Sequence, residues 1–240
     1  MNSKKVLRLG LVALYAVFLP ALAARSQEKK AEPKAPETRM LEIVNIRHDD
    51  LNPTEGDSES RTVIYISGDN YRIEIMDNIK DPKTLSVTII KGGDQYNFTP
   101  SAPEKQFTKS KATSTKEDDI LVGYASGLGR RWSDVLASDW HETSSRKVVI
   151  TKPPNQKWLG VDCEVYKASE KFDPNLGYSL YYLDSQKRVR RQLHYYPPMP
   201  ESNGKDVLDM EFSAIKYEVG KPIPKETFEI PEGFREFIYK

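Results

Sequence analysis

The sequence predicts a mainly β protein of the α+β class, built on one antiparallel sheet with one or two short helices. Two observations lead to this prediction. Residues 61–98 form a pattern of two successive β-hairpins in which apolar and polar side chains alternate. Only one later window, residues 120–140, carries apolar residues at helical spacing.

The register of the first hairpin can be predicted from how its apolar and polar residues separate into two faces. Its strands, 62–66 and 71–75, flank Gly68-Asp69, residue types that tolerate the positive φ of a tight turn. Closing the chain there gives one wholly apolar face and one mixed face that includes Arg72. A slip of one residue would destroy this separation. The expected apolar pairs are Ile64 with Ile73 and Ile66 with Tyr71.

The second hairpin repeats the pattern. Its strands flank Gly92-Gly93, which again permits a tight turn. The returning strand is expected to place Tyr96 opposite Ile89 and Phe98 opposite Val87. Two hairpins with consistent apolar faces indicate a sheet that lies with one face on a core.

A long exposed loop and a helical window come after the hairpins. Residues 99–119 contain two prolines and few apolar side chains, so we expect a loop there. In the window 120–140, Trp132, Val135, Leu136 and Trp140 recur as on one face of a short helix.

Strands account for most of the remaining chain. The expected segments are 40–46, 147–151, 158–167, a third hairpin of 178–184 with 187–196, and 207–219. In the third hairpin, Arg191 interrupts an otherwise apolar face. That face is expected to join Tyr178, Leu180 and Tyr182 with Val189, Leu193 and Tyr195.

The first 39 residues are expected to lie outside the fold. Residues 1–23 combine a basic start, a short apolar run and Ala21-Leu22-Ala23, which is typical of a secretory signal peptide cleaved near Ala23. Residues 24–39 are rich in Lys, Glu, Pro and Ala and are expected to be a disordered linker. One β-rich domain, 40–240, would then work in the periplasm.

Groups suited to catalysis are few. The three histidines, His48, His141 and His194, are not at metal-ligand spacing. Cys163 has the pattern of a buried strand residue, and the basic run 187–191 fits an exposed strand face better than an anion site. We therefore expect no enzyme, no cofactor and no metal. Because 36 basic residues balance 35 acidic ones, nucleic acid is not an expected partner.

A series of short motifs occurs in a characteristic order. After the apolar start come Gly-Asp-Asn-Tyr-Arg-Ile-Glu at 68–74, a hairpin over 87–98, Leu-Gly-Val-Asp-Cys-Glu-Val-Tyr at 159–166, and Phe-Glu-Ile-Pro-Glu-Gly-Phe at 228–234. This order resembles the LolA/LolB-like periplasmic lipoprotein-carrier superfamily. The resemblance covers residues 40–236.

The resemblance implies a strongly curved antiparallel half-barrel with helices over its concave face. In such carriers the apolar concavity holds lipid or the acyl chains of lipoproteins, and no bond is made or broken. Arg72 matches the strand arginine that holds the segment covering the groove. One departure is that residues 25–39 carry no long amphipathic helix, with which the family usually opens.

Two hypotheses about function are consistent with these features. The first is a carrier with a lipid or acylated lipoprotein as ligand, and the second is a cell-envelope interaction or sensory domain with a filled core and protein partners. An enzyme is a third and weaker alternative. The expected groove-lining residues are Tyr71, Ile73, Ile89, Tyr96, Trp132 and Tyr182, for each of which simple core packing is the alternative.

Overall fold

The protein is organised around one large, curved and unclosed β-sheet, as the sequence predicts. The computed structural model describes residues 37–48, 57–77, 83–138, 148–171, 177–198 and 202–238. The strands are β1 (Thr38–Arg47), β2 (Ser58–Ser67), β3 (Asn70–Met76), β4 (Thr84–Lys91), β5 (Asp94–Phe98), β6 (Gln106–Lys111), β7 (Val148–Thr151), β8 (Gln156–Trp158), β9 (Val161–Glu170), β10 (Tyr178–Leu183), β11 (Val189–Tyr196), β12 (Val207–Val219) and β13 (Arg235–Glu236).

The strand order is β13-β6-β5-β4-β3-β2-β1-β12-β11-β10-β9-β7, with β8 paired to β9. Neighbouring strands are antiparallel, except that β13 pairs with β6 in parallel. The long β12 pairs with both β1 and β11, so it joins the N-terminal hairpins to the C-terminal half of the sheet.

The first two hairpins have the predicted registers. Ile64 pairs with Ile73 and Ile66 with Tyr71. In the second hairpin, Ile89 lies opposite Tyr96. The turn glycine Gly68 has a φ of 58°, which is the left-handed conformation expected of it.

Two helices, α1 (Glu117–Ala125) and α2 (Trp132–Ser138), cover one face of the sheet. Acidic residues fill the first turn of α1, where they complement the helix dipole. We call the covered side of the sheet the helix face. Its buried core includes Leu41, Ile64, Ile66, Tyr71, Ile73, Ile120, Leu121, Trp132 and Val135.

The loop expected over residues 99–119 is present only in part, at 99–105 and 112–116. The remaining residues form β6 and the start of α1. Strand β6 lies near the edge of the sheet and has only one large apolar residue, Phe107, so its sequence carries almost no apolar alternation. Main-chain pairing with β5, rather than burial, holds this strand.

The third hairpin differs from the prediction by a β-bulge. The register shifts between Tyr182 and Leu183, so that Arg191 lies opposite Tyr182 and Val189 lies opposite Leu183. Val189 therefore joins the helix-face core instead of the apolar face of Tyr182. A bulge adds one residue to one strand and turns the residues beyond it to the other face, which alternation alone does not reveal.

The expected signal peptide, residues 1–23, lies outside the described residues, as does the predicted linker up to residue 36. Strand β1 begins at Thr38, two residues before the start expected at Met40. Among the described residues, no helix is long and apolar enough to span a membrane.

Candidate functional site

A C-terminal segment lies against the sheet on the side opposite the helices. We call residues 221–228 the strap and this side of the sheet the strap face. The strap ends in a 3₁₀ turn, Lys225–Phe228, which contacts β3 and β4. Phe228 is buried, while most of its neighbours in the strap are exposed. One apolar side chain thus anchors a segment that is otherwise open to solvent.

One row of cross-strand neighbours runs beneath the strap and beyond it. Pairing places Glu218 beside Met40, Met40 beside Tyr65, and Tyr65 beside Arg72. The same row continues from Arg72 to Ile89 and on to Tyr96. Because cross-strand neighbours project from the same face of a sheet, these six side chains form a stripe across the strap face. The stripe is charged, apolar and aromatic in turn.

Arg72 lies in the middle of this row and holds the strap. Its Nη1 donates to the main-chain oxygen of Thr227 at 3.2 Å. Its Nε donates to Glu74 Oε1 at 2.6 Å, an ion pair in which both side chains are more than four-fifths buried. The Glu74 carboxylate neutralises the Arg72 guanidinium and fixes its orientation. The Nη1 of the same guanidinium then bonds the Thr227 carbonyl of the strap.

A small apolar pocket opens between the strap and the row. Its volume is about 170 Å³. Met40 and Tyr65 line it from the sheet, and Ile223 lines it from the strap. Burial raises the pKa of the Tyr65 phenol, so the ring stays neutral beside the carboxylates of its neighbours. At the rim, Lys221 Nζ donates to Glu218 Oε1 at 2.6 Å.

The six predicted groove residues do not come together. Tyr71, Ile73 and Trp132 belong to the core of the helix face. Ile89 and Tyr96 lie on the strap face in a cluster with Phe98 and Phe234, and Tyr182 lies in a third cluster around Cys163. The prediction therefore mixed residues of both faces, and their role in ligand binding stays a prediction.

Close packing fills the helix face where the predicted groove residues lie. The Trp132 ring is 5.0 Å from Tyr181 and 5.1 Å from Tyr166, measured between ring centroids. Tyr71 is 1% exposed, and its hydroxyl donates to the Thr115 main-chain oxygen at 3.0 Å. Burial raises the pKa of Tyr71 to about 12. These rings are core side chains in this arrangement.

The cysteine and histidine side chains that could take part in catalysis lie apart from one another in the described part of the chain. Cys163 is buried with Val165 and Leu193, whereas His194 lies on the opposite face, where its Nδ1 is 3.2 Å from Ser179 Oγ. His48 Nδ1 is 3.1 Å from Asp57. His141, Asp49 and Asp50 lie outside the described residues. Within the described part of the chain, no group of His, Cys, Asp or Glu is placed to hold a metal.

The basic run 187–191 is not an exposed strand face, contrary to the prediction. Arg190 pairs with Asp184 at 3.5 Å and stacks on the Tyr217 ring at 4.2 Å. Arg191 pairs with Glu211 at 3.0 Å and stacks on Trp158 at 3.9 Å. Because a guanidinium is flat and weakly hydrated, it packs well on aromatic rings while its edge binds a carboxylate.

Sequence reasoning missed the strap residues Ile223 and Thr227 and the row members Met40 and Tyr65. The sequence could have predicted part of the row. The correct register of the first hairpin already placed Tyr65 beside Arg72 on the mixed face. The sequence pattern could not predict the strap. A segment with prolines and exposed charges has neither helical nor strand periodicity.

The sequence matches no protein-family model and no curated protein. Solved structures with weak similarity include an uncharacterized conserved protein from Thermus thermophilus, with a TM-score of 0.43 at 8% identity over 83% of this chain and 90% of that chain. MucB in the Pseudomonas aeruginosa MucA/MucB complex has a TM-score of 0.44 at 12% identity, over 80% of this chain and 55% of that chain.

A putative outer membrane lipoprotein-sorting protein domain from Vibrio parahaemolyticus has a TM-score of 0.27 at 10% identity, over 80% of this chain and 88% of that chain. All three TM-scores lie below one half, so no activity, ligand or partner can be assigned from these similarities. This chain spans about half the length of MucB, at 55%.

Proposed function

We propose that the protein is a non-catalytic binding protein of the cell envelope that holds an apolar ligand, such as a lipid or the acyl chain of a lipoprotein, beneath its strap. The observation that carries this proposal is the apolar pocket between Tyr65, Met40 and Ile223. Arg72 stands beside this pocket and fixes the segment that covers it. The order of sequence motifs that resembles the lipoprotein carriers supports the same class of ligand.

The pocket holds only part of such a ligand while the strap is in place. Binding sites for drug-sized ligands are typically about 300–1,000 Å³, and the pocket measures about 170 Å³. The ligand therefore enters as the strap lifts, when the Arg72–Thr227 hydrogen bond opens. The row continues past Arg72 to Ile89 and Tyr96, so apolar and aromatic side chains lie on both sides of the arginine along the strap face.

The test is mass spectrometry of a solvent extract of the full chain purified from its native envelope. We expect a defined lipid or acylated species at about one per protein, because the pocket beneath the strap would hold one chain. An empty protein that also fails to bind a fluorescent fatty acid would overturn the proposal.

The second candidate function is a cell-envelope interaction domain with a filled core and a protein partner. The close packing of Trp132, Tyr166 and Tyr181 favours it, because the helix face leaves no room there for a ligand. Copurification of one protein at a fixed ratio, with no lipid in the extract, would favour this candidate over the carrier.

A further inference from the structure

A second cavity, separate from the strap, lies between α1, α2 and the ends of β1 and β11. Its volume is about 230 Å³, far above the roughly 15 Å³ that one water needs. Almost all of the side chains that line it are charged. They are Arg39, Glu117, Asp118, Arg130, Arg131, Asp134 and Arg188, four guanidiniums against three carboxylates.

Two of the four arginines are neutralised within the protein. Arg39 forms a two-pronged ion pair with Glu117. Arg130, whose side chain is fully buried, donates from Nε and Nη2 to the two carboxylate oxygens of Asp118, at 2.7 and 2.9 Å. These pairs build a rigid wall, because each guanidinium is fixed by two parallel hydrogen bonds.

The other two arginines, Arg131 and Arg188, are neighbours without a carboxylate. They face each other across an antiparallel bridge. Among the described residues, neither makes an ion pair, and the one side-chain hydrogen bond of Arg188 is from Nη1 to the Gly129 carbonyl at 2.9 Å. Like charges directly opposite each other in a β-ladder are destabilising, so the fold places uncompensated positive charge at this spot.

The main chain holds this pair of arginines in place. Trp132 N donates to the Lys187 carbonyl at 2.8 Å, and Val189 N donates to the Arg130 carbonyl at 2.9 Å. The segment before α2 therefore pairs with the residues at the start of β11. Arg131 is exposed and stands where solvent reaches the cavity, whereas Arg188 is half-buried.

A third observation is an unsatisfied donor at the same cavity. The Arg39 side chain is 10% exposed, and its buried Nε has no hydrogen-bond partner among the described residues. Burial raises the pKa of the nearby Tyr217 phenol, while the guanidiniums of Arg188 and Arg39 act against that rise. The Arg39 Nε donor, on β1, therefore adds an unused hydrogen-bond donor to a region in which Arg131 and Arg188 supply the positive charge.

We infer that this cavity is a binding site for a phosphate-type oxyanion, with Arg131 and Arg188 as its ligands. An oxyanion there would neutralise the unpaired guanidiniums and accept hydrogen bonds from their planar forks, a geometry that suits phosphate. The phosphate could be free in solution or belong to a lipid headgroup. The site does not depend on the apolar pocket beneath the strap, which lies on the other face of the sheet.

The test uses the full chain with two probes at low ionic strength, where screening is weak. Inorganic phosphate is titrated calorimetrically, and vesicles containing phosphatidylglycerol are tested by cosedimentation. Arg131→Gln is the main variant. The Arg131 side chain is exposed and makes no ion pair or side-chain hydrogen bond among the described residues, so the change should leave folding intact. Arg188→Gln is the second variant. Lys157→Gln is the matched control, because Lys157 is exposed and does not line the cavity.

We expect each arginine variant to weaken binding about tenfold, the loss of one charge-assisted hydrogen bond, and the lysine control to leave it unchanged. Binding of inorganic phosphate identifies a free phosphate, and binding of vesicles alone identifies a headgroup. If neither probe binds, or if both arginine variants bind like the unaltered chain, the inference is wrong. Fatty-acid binding at the strap pocket is measured independently of either result.

Discussion

Arg72 Nη1 and the main-chain oxygen of Thr227 lie 3.2 Å apart, and this hydrogen bond joins residues 155 positions apart in the sequence. It is the polar contact that fixes the strap next to the apolar pocket. Phe228, one residue further on, adds a buried apolar anchor. The start of the strap is held separately, because Thr38 Oγ1 donates to the Lys221 main-chain oxygen at 2.7 Å. The Arg72 contact can therefore open while Phe228 stays buried.

The first prediction concerns Arg72→Leu. The variant loses the bond to Thr227 and leaves Glu74 without its partner. We expect faster amide hydrogen exchange in the strap, altered ligand uptake or release, and a loss of stability of about 3 kcal/mol, because the largely buried Glu74 carboxylate loses its partner. Exchange mass spectrometry and urea unfolding measure the two effects.

The control for this variant is Lys91→Gln. Lys91 pairs with Glu229 just beyond the strap, but both side chains are largely exposed. Exposed pairs contribute little, so we expect strap exchange close to that of the unaltered chain. A large fall in Tm for Arg72→Leu with unchanged ligand binding would argue that Arg72 is only structural.

The second prediction concerns Asp118→Asn. This change removes the charge that compensates the buried Arg130 guanidinium. Breaking a buried ion pair typically costs about 3–5 kcal/mol, and the half-exposed carboxylate of Asp118 puts the expected loss near the lower end. Urea unfolding checks it. Asp119→Asn is the matched control, because the exposed Asp119 carboxylate only accepts a hydrogen bond from Ser114 Oγ. Equal losses in the two variants would contradict the account.

The third prediction concerns the thiol of Cys163. Burial raises its pKa, so the thiolate fraction at mildly alkaline pH is lower than for a free cysteine, and the sulfur is inaccessible. We expect no reaction with a thiol reagent in the native protein and full reaction in guanidinium. Rapid labelling of the native protein would show that the cluster around Cys163 is open.

The fourth prediction is a pH dependence that arises from His194. Burial lowers the pKa of this imidazole below its ordinary value of 6.5, and Asp209 opposes that shift. The unfolded chain therefore takes up a proton before the folded one does, so stability falls as the pH drops through 6.5 and levels off below the folded pKa.

The test is to measure the unfolding midpoint of the unaltered chain and of His194→Gln at about pH 7.5 and at about pH 5.5. The variant should lose less stability over that interval than the unaltered chain, since a glutamine side chain does not titrate. An equal loss in both proteins would assign the pH dependence to other groups.

The sequence predicted the hairpins well because their registers depend on local information. Ile64, Ile66, Tyr71 and Ile73 alternate without interruption around a turn with the right residues, and the structure pairs them as expected. Strand β6 was missed because a strand near the edge of a sheet needs main-chain partners more than apolar side chains. The bulge beside Leu183 was missed because it changes the face of a residue without changing the pattern.

The site was predictable only in part. Arg72, Ile89 and Tyr96 were chosen from the sequence, and they share one cross-strand row on the strap face. Tyr71, Ile73 and Trp132 looked equivalent by residue type, yet the pleat places them on the other face. The arginine cavity depends on the pairing of Arg131 with Arg188, a contact that no local pattern reveals.

The most direct measurement is a titration of the full chain with a fluorescent fatty acid, compared with Ile223→Glu. That change puts a charge into the apolar pocket, and Ile238→Glu, at a residue that is 74% exposed and outside the pocket, is its control. We predict saturable binding that Ile223→Glu abolishes and Ile238→Glu preserves. Absence of binding, or binding that Ile223→Glu leaves unchanged, would contradict an apolar ligand site beneath the strap.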